Sequence, residues 1–233
     1  MSLPVAVLAS GSGTNLQALL DHEVRRPEGA YKVSVVVSDR EGAEALERAS
    51  KAGRTARVVP SAGRDPGEVA DELGALLREA GVEAVFLAGY LTLVPEGIIQ
   101  AYRGRILNVH PSLLPAFGGK GMYGERVHQA VLERGCRITG VTVHFVDEEY
   151  DRGPVLAQWP VPVMPDDTPE SLGERVLDVE HLLFPLSAEY LCRALSQGFP
   201  PRPLTPFGDT FLLGLDAPGF ELRRQIRRAY GET

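Results

Sequence analysis

The 233-residue chain carries 24 Lys and Arg against 31 Asp and Glu, giving a formal charge of −7 and a pI near 5.3. That balance argues against a nucleic-acid surface spread over the molecule, although a local basic pocket around a phosphate stays compatible with it. Two cysteines, Cys136 and Cys192, make no disulfide framework and form no C-x-x-C pair. Met1 to Val5 lacks a charged region followed by a long apolar core, and no window approaches the ~18 uninterrupted apolar residues of a membrane span, so a soluble cytoplasmic protein is expected. The 44 % hydrophobic content suffices for the core of one α/β domain, or one domain with an appendage.

Leu3 to Ala9 is an apolar run that passes through Ser10-Gly11-Ser12-Gly13-Thr14-Asn15 into Leu16-Gln17-Ala18-Leu19-Leu20. This reads as strand, glycine turn and helix. Val33–Val37 forms a second buried strand, Gly42–Ala52 a helix, Ala56–Val59 a third strand, Glu68–Ala80 a helix, and Glu83–Ala88 a fourth strand. Continuous apolar strands alternating with helices imply a Rossmann-like, doubly wound, mostly parallel sheet covered on both faces. Arg105–His110 continues it, and Pro111 stops that strand because it lacks the N–H a ladder needs.

The pattern then changes. Ile138–Val146 alternates with a period of two and Pro154–Val163 is again β-rich, so residues 138–163 are expected to form an antiparallel hairpin. A long helix over about Pro169–Ser196 follows, with Thr168 as its cap and Glu170 in its first turn. After Gly198 a Pro-rich stretch cannot continue the helix. The expected division is a catalytic domain over 1–197 and a linker and tail over 198–233, with a weak helix, Glu221–Tyr230. Its arginines, Arg223, Arg224, Arg227 and Arg228, suit a solvated face or an anionic partner.

A glycine turn between strand and helix presents backbone N–H groups at the positive end of the helix dipole, which favours a phosphate. Gly11 and Gly13 permit the tight backbone, and Thr14 and Asn15 add short polar side chains. Leu16 stands where the dinucleotide fingerprint needs its third glycine, so a single phosphate group is preferred over a pyrophosphate. Asp39 after the second strand keeps the dinucleotide reading open, and a purely structural glycine turn is the alternative to any phosphate site.

In the strand Arg105–His110, Asn108 and His110 share one face while Leu107 and Val109 point into packing. An amide beside an imidazole suits stabilisation of an oxygen that gains charge in acyl-type chemistry, although the same spacing occurs in hydrogen-bonded edge pairs. Asp151 in the hairpin turn offers a carboxylate that would orient His110 and raise its pKa towards imidazolium. Asp147, Glu148 and Glu149 compete with it as ordinary turn residues. His144 reads as a packed histidine or as support near His110. Glu180 on the long helix offers a carboxylate to substrate hydroxyls. The histidine spacing gives no metal motif.

Taken in series, Ala9–Gln17, Leu87-Ala88-Gly89-Tyr90, Ile106–Pro115, Gly140–Val146 and Asp151-Arg152-Gly153-Pro154 resemble the folate-dependent formyltransferases, in the branch that acts on phosphoribosylglycinamide in purine biosynthesis. The resemblance spans about residues 4–196. It implies transfer of a formyl group from 10-formyltetrahydrofolate to the glycinamide amine, without a metal. Asn108, His110 and Asp151 would be the catalytic set, and Gly13, Thr14, Asn15 and Glu180 would hold the phosphate and ribose of the substrate. Leu91, Thr92, Leu93 and Val94, with Asn108 and the loop Asp147 to Asp151, would meet the folate. Arg64 lies near the family's phosphate-binding arginine and is carried with the cofactor-binding set.

Three features depart from the family pattern: Thr92 in place of arginine, Arg152 in place of a small residue, and a longer Gly118–Gly124 loop. Formyltetrahydrofolate hydrolase, methionyl-tRNA formyltransferase and a binding module without turnover are the competing readings. Small-molecule substrates are the expected partners, without nucleic acid or membrane, and with the chain acting as monomer or homodimer.

Overall fold

The computed structural model describes residues 2–199. Seven strands form one sheet in the order β3-β2-β1-β4-β5-β6-β7. They are β1 (Leu3–Leu8), β2 (Tyr31–Ser38), β3 (Thr55–Val58), β4 (Ala84–Leu87), β5 (Ile106–His110), β6 (Ile138–Phe145) and β7 (Val155–Pro162). The first five run parallel, whereas β5 to β6 and β6 to β7 are antiparallel. The expected doubly wound sheet with an appended hairpin is therefore the fold. Pro160 and Pro162 sit in β7, the edge strand, where a missing N–H costs no ladder bond on the open side.

Helices cover both faces: α1 (Thr14–Arg25), α2 (Glu44–Lys51), α3 (Pro66–Glu79), α4 (Glu96–Ala101), α5 (Glu125–Glu133) and α6 (Pro169–Ser196). Alternation along each strand decides which residue meets which layer. Val5 and Val7 of β1, with Leu107 and Val109 of β5, pack beneath α1 and α6 together with Leu16, Leu19, Leu172 and Val176. Ala6, Leu8 and Ile106 face the other way, onto Leu73 and Leu77 of α3 and Ile98 of α4. Leu107 is fully buried, so its truncation to alanine costs about 2–5 kcal/mol.

Two helices, α4 and α5, are absent from the sequence reading. The long helix begins as expected: Thr168 Oγ1 accepts from the Ser171 amide at 3.2 Å, and the Ser171 hydroxyl accepts from the Thr168 amide at 3.0 Å. Among the described residues, no helix is long and apolar enough to cross a membrane. The expected tail helix Glu221–Tyr230 lies outside the described residues.

The sheet order reverses between β1 and β4, because the chain runs outward through β2 and β3 and then returns to β1's other side. Loops leaving the carboxyl ends of β1 and β4 diverge at such a point and open a crevice. The Ser10 amide donates to Gly89 O at 3.0 Å and the Leu91 amide to Ser10 Oγ at 2.9 Å, which fastens the two loops at its base.

Candidate active site

The register of β5 against β6 builds the site's first half. Antiparallel pairing sets Asn108 opposite His144 and His110 opposite Thr142, and directly opposed residues share a face. Asn108 Nδ2 lies 3.0 Å from His144 Nε2, and His144 Nδ1 lies 2.8 Å from Phe145 O. A carbonyl only accepts, so the His144 proton resides on Nδ1 and Nε2 accepts from the Asn108 amide. His144 is 2 % exposed; it is both packed and part of the polar cluster.

The hairpin turn returns the chain with Asp151 in a left-handed conformation (φ 55°). Gly153 follows where any Cβ would run into the Phe145 carbonyl, so only glycine lets the turn fold this closely over β6. Asp151 then reaches four groups: the Gly119 amide (2.8 Å), Asn108 Nδ2 (3.4 Å), His144 Nε2 (3.5 Å) and His110 Nδ1 (3.6 Å). Burial pushes its carboxyl upward. The neighbouring imidazoles of His144 and His110 and the Gly119 amide outweigh that and hold it below the usual carboxylate value. Asp147, Glu148 and Glu149 do not line the cleft, and Glu148 pairs instead with Arg103 at 2.7 Å.

His110 is 4 % exposed, and its Nε2 donates to Phe117 O at 2.9 Å. The expectation that Asp151 raises its pKa needs correction in its net direction. Desolvation is the largest influence and lowers the value; Asp151 and Phe117 O oppose it without overcoming it. In the free protein at neutral pH the imidazole is therefore neutral, with its proton on Nε2.

At the opposite side of the crevice, Gly13 caps α1 in the left-handed conformation (φ 71°), and a Cβ there would lie 2.7 Å from Ala45 Cα. The turn is held by Ala45 N–H to Gly11 O (3.1 Å) and Arg48 Nε to Ser12 O (2.7 Å). Helix α1 has neither a capping side chain nor an acidic residue in its first turn, whereas α3 has Asp65 and α6 has Thr168 with Glu170. Its leading amides thus remain unused by side chains, which suits an external anion.

Asn15 does not aim its amide at that anion position. Its Nδ2 donates to Glu180 Oε2 at 2.7 Å, tying α1 to α6, and its Oδ1 is buried without a hydrogen-bond partner. Burial pushes the Glu180 carboxyl up to about 7, with the Asn15 bond opposing. Asp39 is occupied by Arg40 (2.9 and 3.1 Å) and by the Thr92 hydroxyl (2.7 Å), which leaves it saturated rather than presented to a ribose.

These groups converge on one cleft of about 970 Å³, lined by Gly11–Asn15, Ala88–Leu91, Asn108–Pro111, Gly119–Arg126, His128, Tyr150, Asp151 and the α6 residues Pro169, Glu170, Gly173, Val176, Leu177 and Glu180. Of the folate candidates, Leu91 lines it and Leu93 is 44 % exposed nearby in sequence. Thr92 turns away to Asp39, and Val94 is buried in the core beside α3. Arg64 pairs with Glu72 (2.7 Å) and the Pro60 carbonyl (3.1 Å) and is not among the lining residues. Arg152 is exposed and sits 4.0 Å from Glu149, outside the carboxylate cluster. Among the described residues no group of three His, Cys, Asp or Glu is placed to hold a metal ion.

Sequence reasoning missed His128 on α5, which is 6 % exposed, lines the cleft and packs against Gly173. Burial, then the nearby His110, lower its pKa from the ordinary imidazole value. Its i, i+3 spacing to Val131 was the available signal, hidden by the brevity of α5.

Comparison with known proteins follows this geometry. The formyl transferase family profile matches residues 3–187. A chloroplastic phosphoribosylglycinamide formyltransferase of Arabidopsis thaliana is 48 % identical over 184 residues, 77 % of this chain and 62 % of that protein. The Vigna unguiculata counterpart is 43 % identical over 81 % of this chain and 60 % of its own length, so the chain spans about three fifths of these plant relatives. The crystal structure of glycinamide ribonucleotide transformylase 1 from Symbiobacterium toebii superposes with a TM-score of 0.76 at 41 % identity, covering 83 % of this chain and 89 % of that one. With a profile match over most of its length and the sheet, crevice and polar cluster described above, the chain belongs to the formyl transferase family.

Proposed function

We propose that this protein transfers a formyl group from 10-formyltetrahydrofolate to the amine of phosphoribosylglycinamide, the step for which its relatives are named. One observation carries the reading: Asn108 and His110 lie 3.4 and 3.6 Å from the two oxygens of Asp151, in the cleft that also holds the glycine turn. The turn Gly13-Thr14-Asn15 receives the phosphate, Glu180 the ribose hydroxyls, and the Leu91 segment with Tyr150 flanks the folate ring. Residues 1–197 act as the catalytic domain and 198–233 as an appended tail.

Transfer forms a C–N bond to the amine and breaks the one to the folate nitrogen, with a proton leaving the former and one delivered to the latter. In between, the formyl oxygen carries negative charge. The Asn108 N–H that makes only a long contact to Asp151 is one donor for that oxygen, and the Nε2–H of His110 becomes the second when it exchanges the Phe117 carbonyl for the formyl oxygen. Neutral imidazole suffices as a donor, and loss of one such donor costs about 3–4 kcal/mol in the transition state. Asp151, kept ionised, accepts the amine proton directly or through water and stabilises any positive charge on His110.

The test is a steady-state assay with phosphoribosylglycinamide and a 10-formyl folate, following absorbance of the deformylated product. Turnover that requires the amine supports the reading. Formate release without it points to a hydrolase, and binding without turnover to a non-catalytic module. The reading carries a cytoplasmic location and a monomer or homodimer, for which fractionation and light scattering are the measurements.

A further inference from the structure

Residues 117–126, the second half of the β5–α5 connection together with the first two residues of α5, form a strap along the cleft, and their fastening is specific. At one end Phe117, itself left-handed (φ 55°), gives its carbonyl to His110 Nε2, and the Gly119 amide donates to Asp151 Oδ2. At the other end the Arg126 guanidinium stacks 5.0 Å from the Tyr123 ring centroid. Lys120, Tyr123 and Arg126 line the same cleft as the glycine turn Gly11–Asn15.

The strap also supplies charge. Lys120 and Arg126 are the only cationic side chains lining the cleft among the described residues, against the carboxylates Glu125, Asp151, Glu170 and Glu180. Lys120 is exposed, makes no ion pair or side-chain hydrogen bond among the described residues, and is flanked by Gly118, Gly119 and Gly121, which give it freedom to turn. A dianion entering a cleft with this balance, in a chain of formal charge −7, needs cations delivered to it.

We infer that the strap completes the phosphate site: Lys120 and Arg126 close over the phosphate that rests on the glycine turn and make the enzyme selective for a phosphorylated amine. This rests on the phosphate reading given above. The strap's near end is already bonded to His110 and Asp151, so Lys120 and Arg126 act as specificity residues rather than catalytic ones.

The experiment compares Lys120→Ala, Arg126→Ala and Lys120→Arg with wild type, using phosphoribosylglycinamide and its dephosphorylated nucleoside as amines. Each alanine variant is expected to lose about 10- to 100-fold in kcat/KM for the phosphorylated amine, mostly through KM, and less than about threefold for the nucleoside. Lys120→Arg retains the preference. Binding of inorganic phosphate, followed by calorimetry, weakens in parallel and reads the site without turnover. Equal losses with both amines would make the strap merely structural and overturn the inference, as would losses that follow the number of glutamates on the folate. Absence of formyl transfer in the wild type instead sinks the function itself, while phosphate binding still decides the site.

Discussion

Asn108 and His144 oppose each other across β5 and β6, the amide donating to the imidazole at 3.0 Å while the far ring nitrogen is held by Phe145 O. The pair fixes which way the Asn108 carboxamide faces. Asn108→Ala is expected to cost about 100- to 1000-fold in turnover, and His144→Ala about tenfold through misorientation of Asn108. The two effects couple, so the double variant turns over no slower than Asn108→Ala alone, by a double-mutant cycle on kcat. Strict additivity would show that His144 acts independently.

His110 gives a spectroscopic prediction. Its pKa lies below 6.5 because burial outweighs the neighbouring carboxylate. Asp151→Asn removes an influence that raises the value, so the imidazole of that variant titrates lower still. NMR titration of the His110 Cε1 proton in both proteins measures this, and an unchanged or higher value in Asp151→Asn contradicts the geometry. Turnover in that variant is expected to drop by at least about 100-fold, with ribonucleotide binding nearly kept.

Glu180 predicts a trade between stability and binding. Its folded pKa of about 7 exceeds the unfolded value near 4.5, so the folded protein holds a proton that the unfolded chain releases between those pH values. Stability contributed by this group is complete below pH 4.5 and declines as pH rises through 7. Glu180→Gln keeps an acceptor for Asn15 and has no charge to bury. It is expected to unfold at a higher urea concentration than wild type at pH 8, by an amount on the order of 2–3 kcal/mol, with no advantage at pH 5. The same change weakens substrate binding.

Gly13 separates turn geometry from ligand affinity. Replacement by alanine forces a left-handed β-carbon against Ala45 of α2, so about 2–4 kcal/mol of stability is lost along with phosphate binding. Thermal unfolding without ligand checks the first effect. An unaltered Tm means that α2 moves aside at no cost.

His22 adds an acid-side prediction. Burial lowers its pKa from 6.5 to about 4, so the unfolded chain gains a proton in that interval before the folded one does. Stability present above pH 6.5 is lost as pH falls through 4, amounting to about 3 kcal/mol. His22→Gln flattens that part of the stability profile in urea titrations.

The parallel strands were legible because each is an unbroken apolar run between glycine or helix signals, and Val5 to Leu8 are indeed fully buried. Asn108 and His110 were legible as a same-face pair from strand periodicity. His144 was legible only as a packed or supporting residue near His110; its contact with Asn108 depends on the β5–β6 register, which no local pattern encodes. Helices α4 and α5 escaped notice because six and nine residues are too few to establish a 3.6-residue period. The direction of the His110 shift turned on how much protein covers the ring, a quantity that spacing does not carry. Arg64 shows the limit of carry-over by resemblance: a nearby position in the chain need not place a side chain in the cleft, and here Glu72 holds it.

Helix α6 belongs at once to the interior, through Leu172, Val176 and Leu183, and to the cleft, through Gly173 and Glu180. It is also the last element of the described fold, while the glycine turn it bonds to through Asn15 is nearly the first, 165 residues earlier. During synthesis the nascent polypeptide therefore lacks both a sealed interior and a finished binding surface until this segment has cleared the ribosome. Competence arrives in a single late event, and fragments ending before residue 180 are expected to be aggregation-prone rather than partially active.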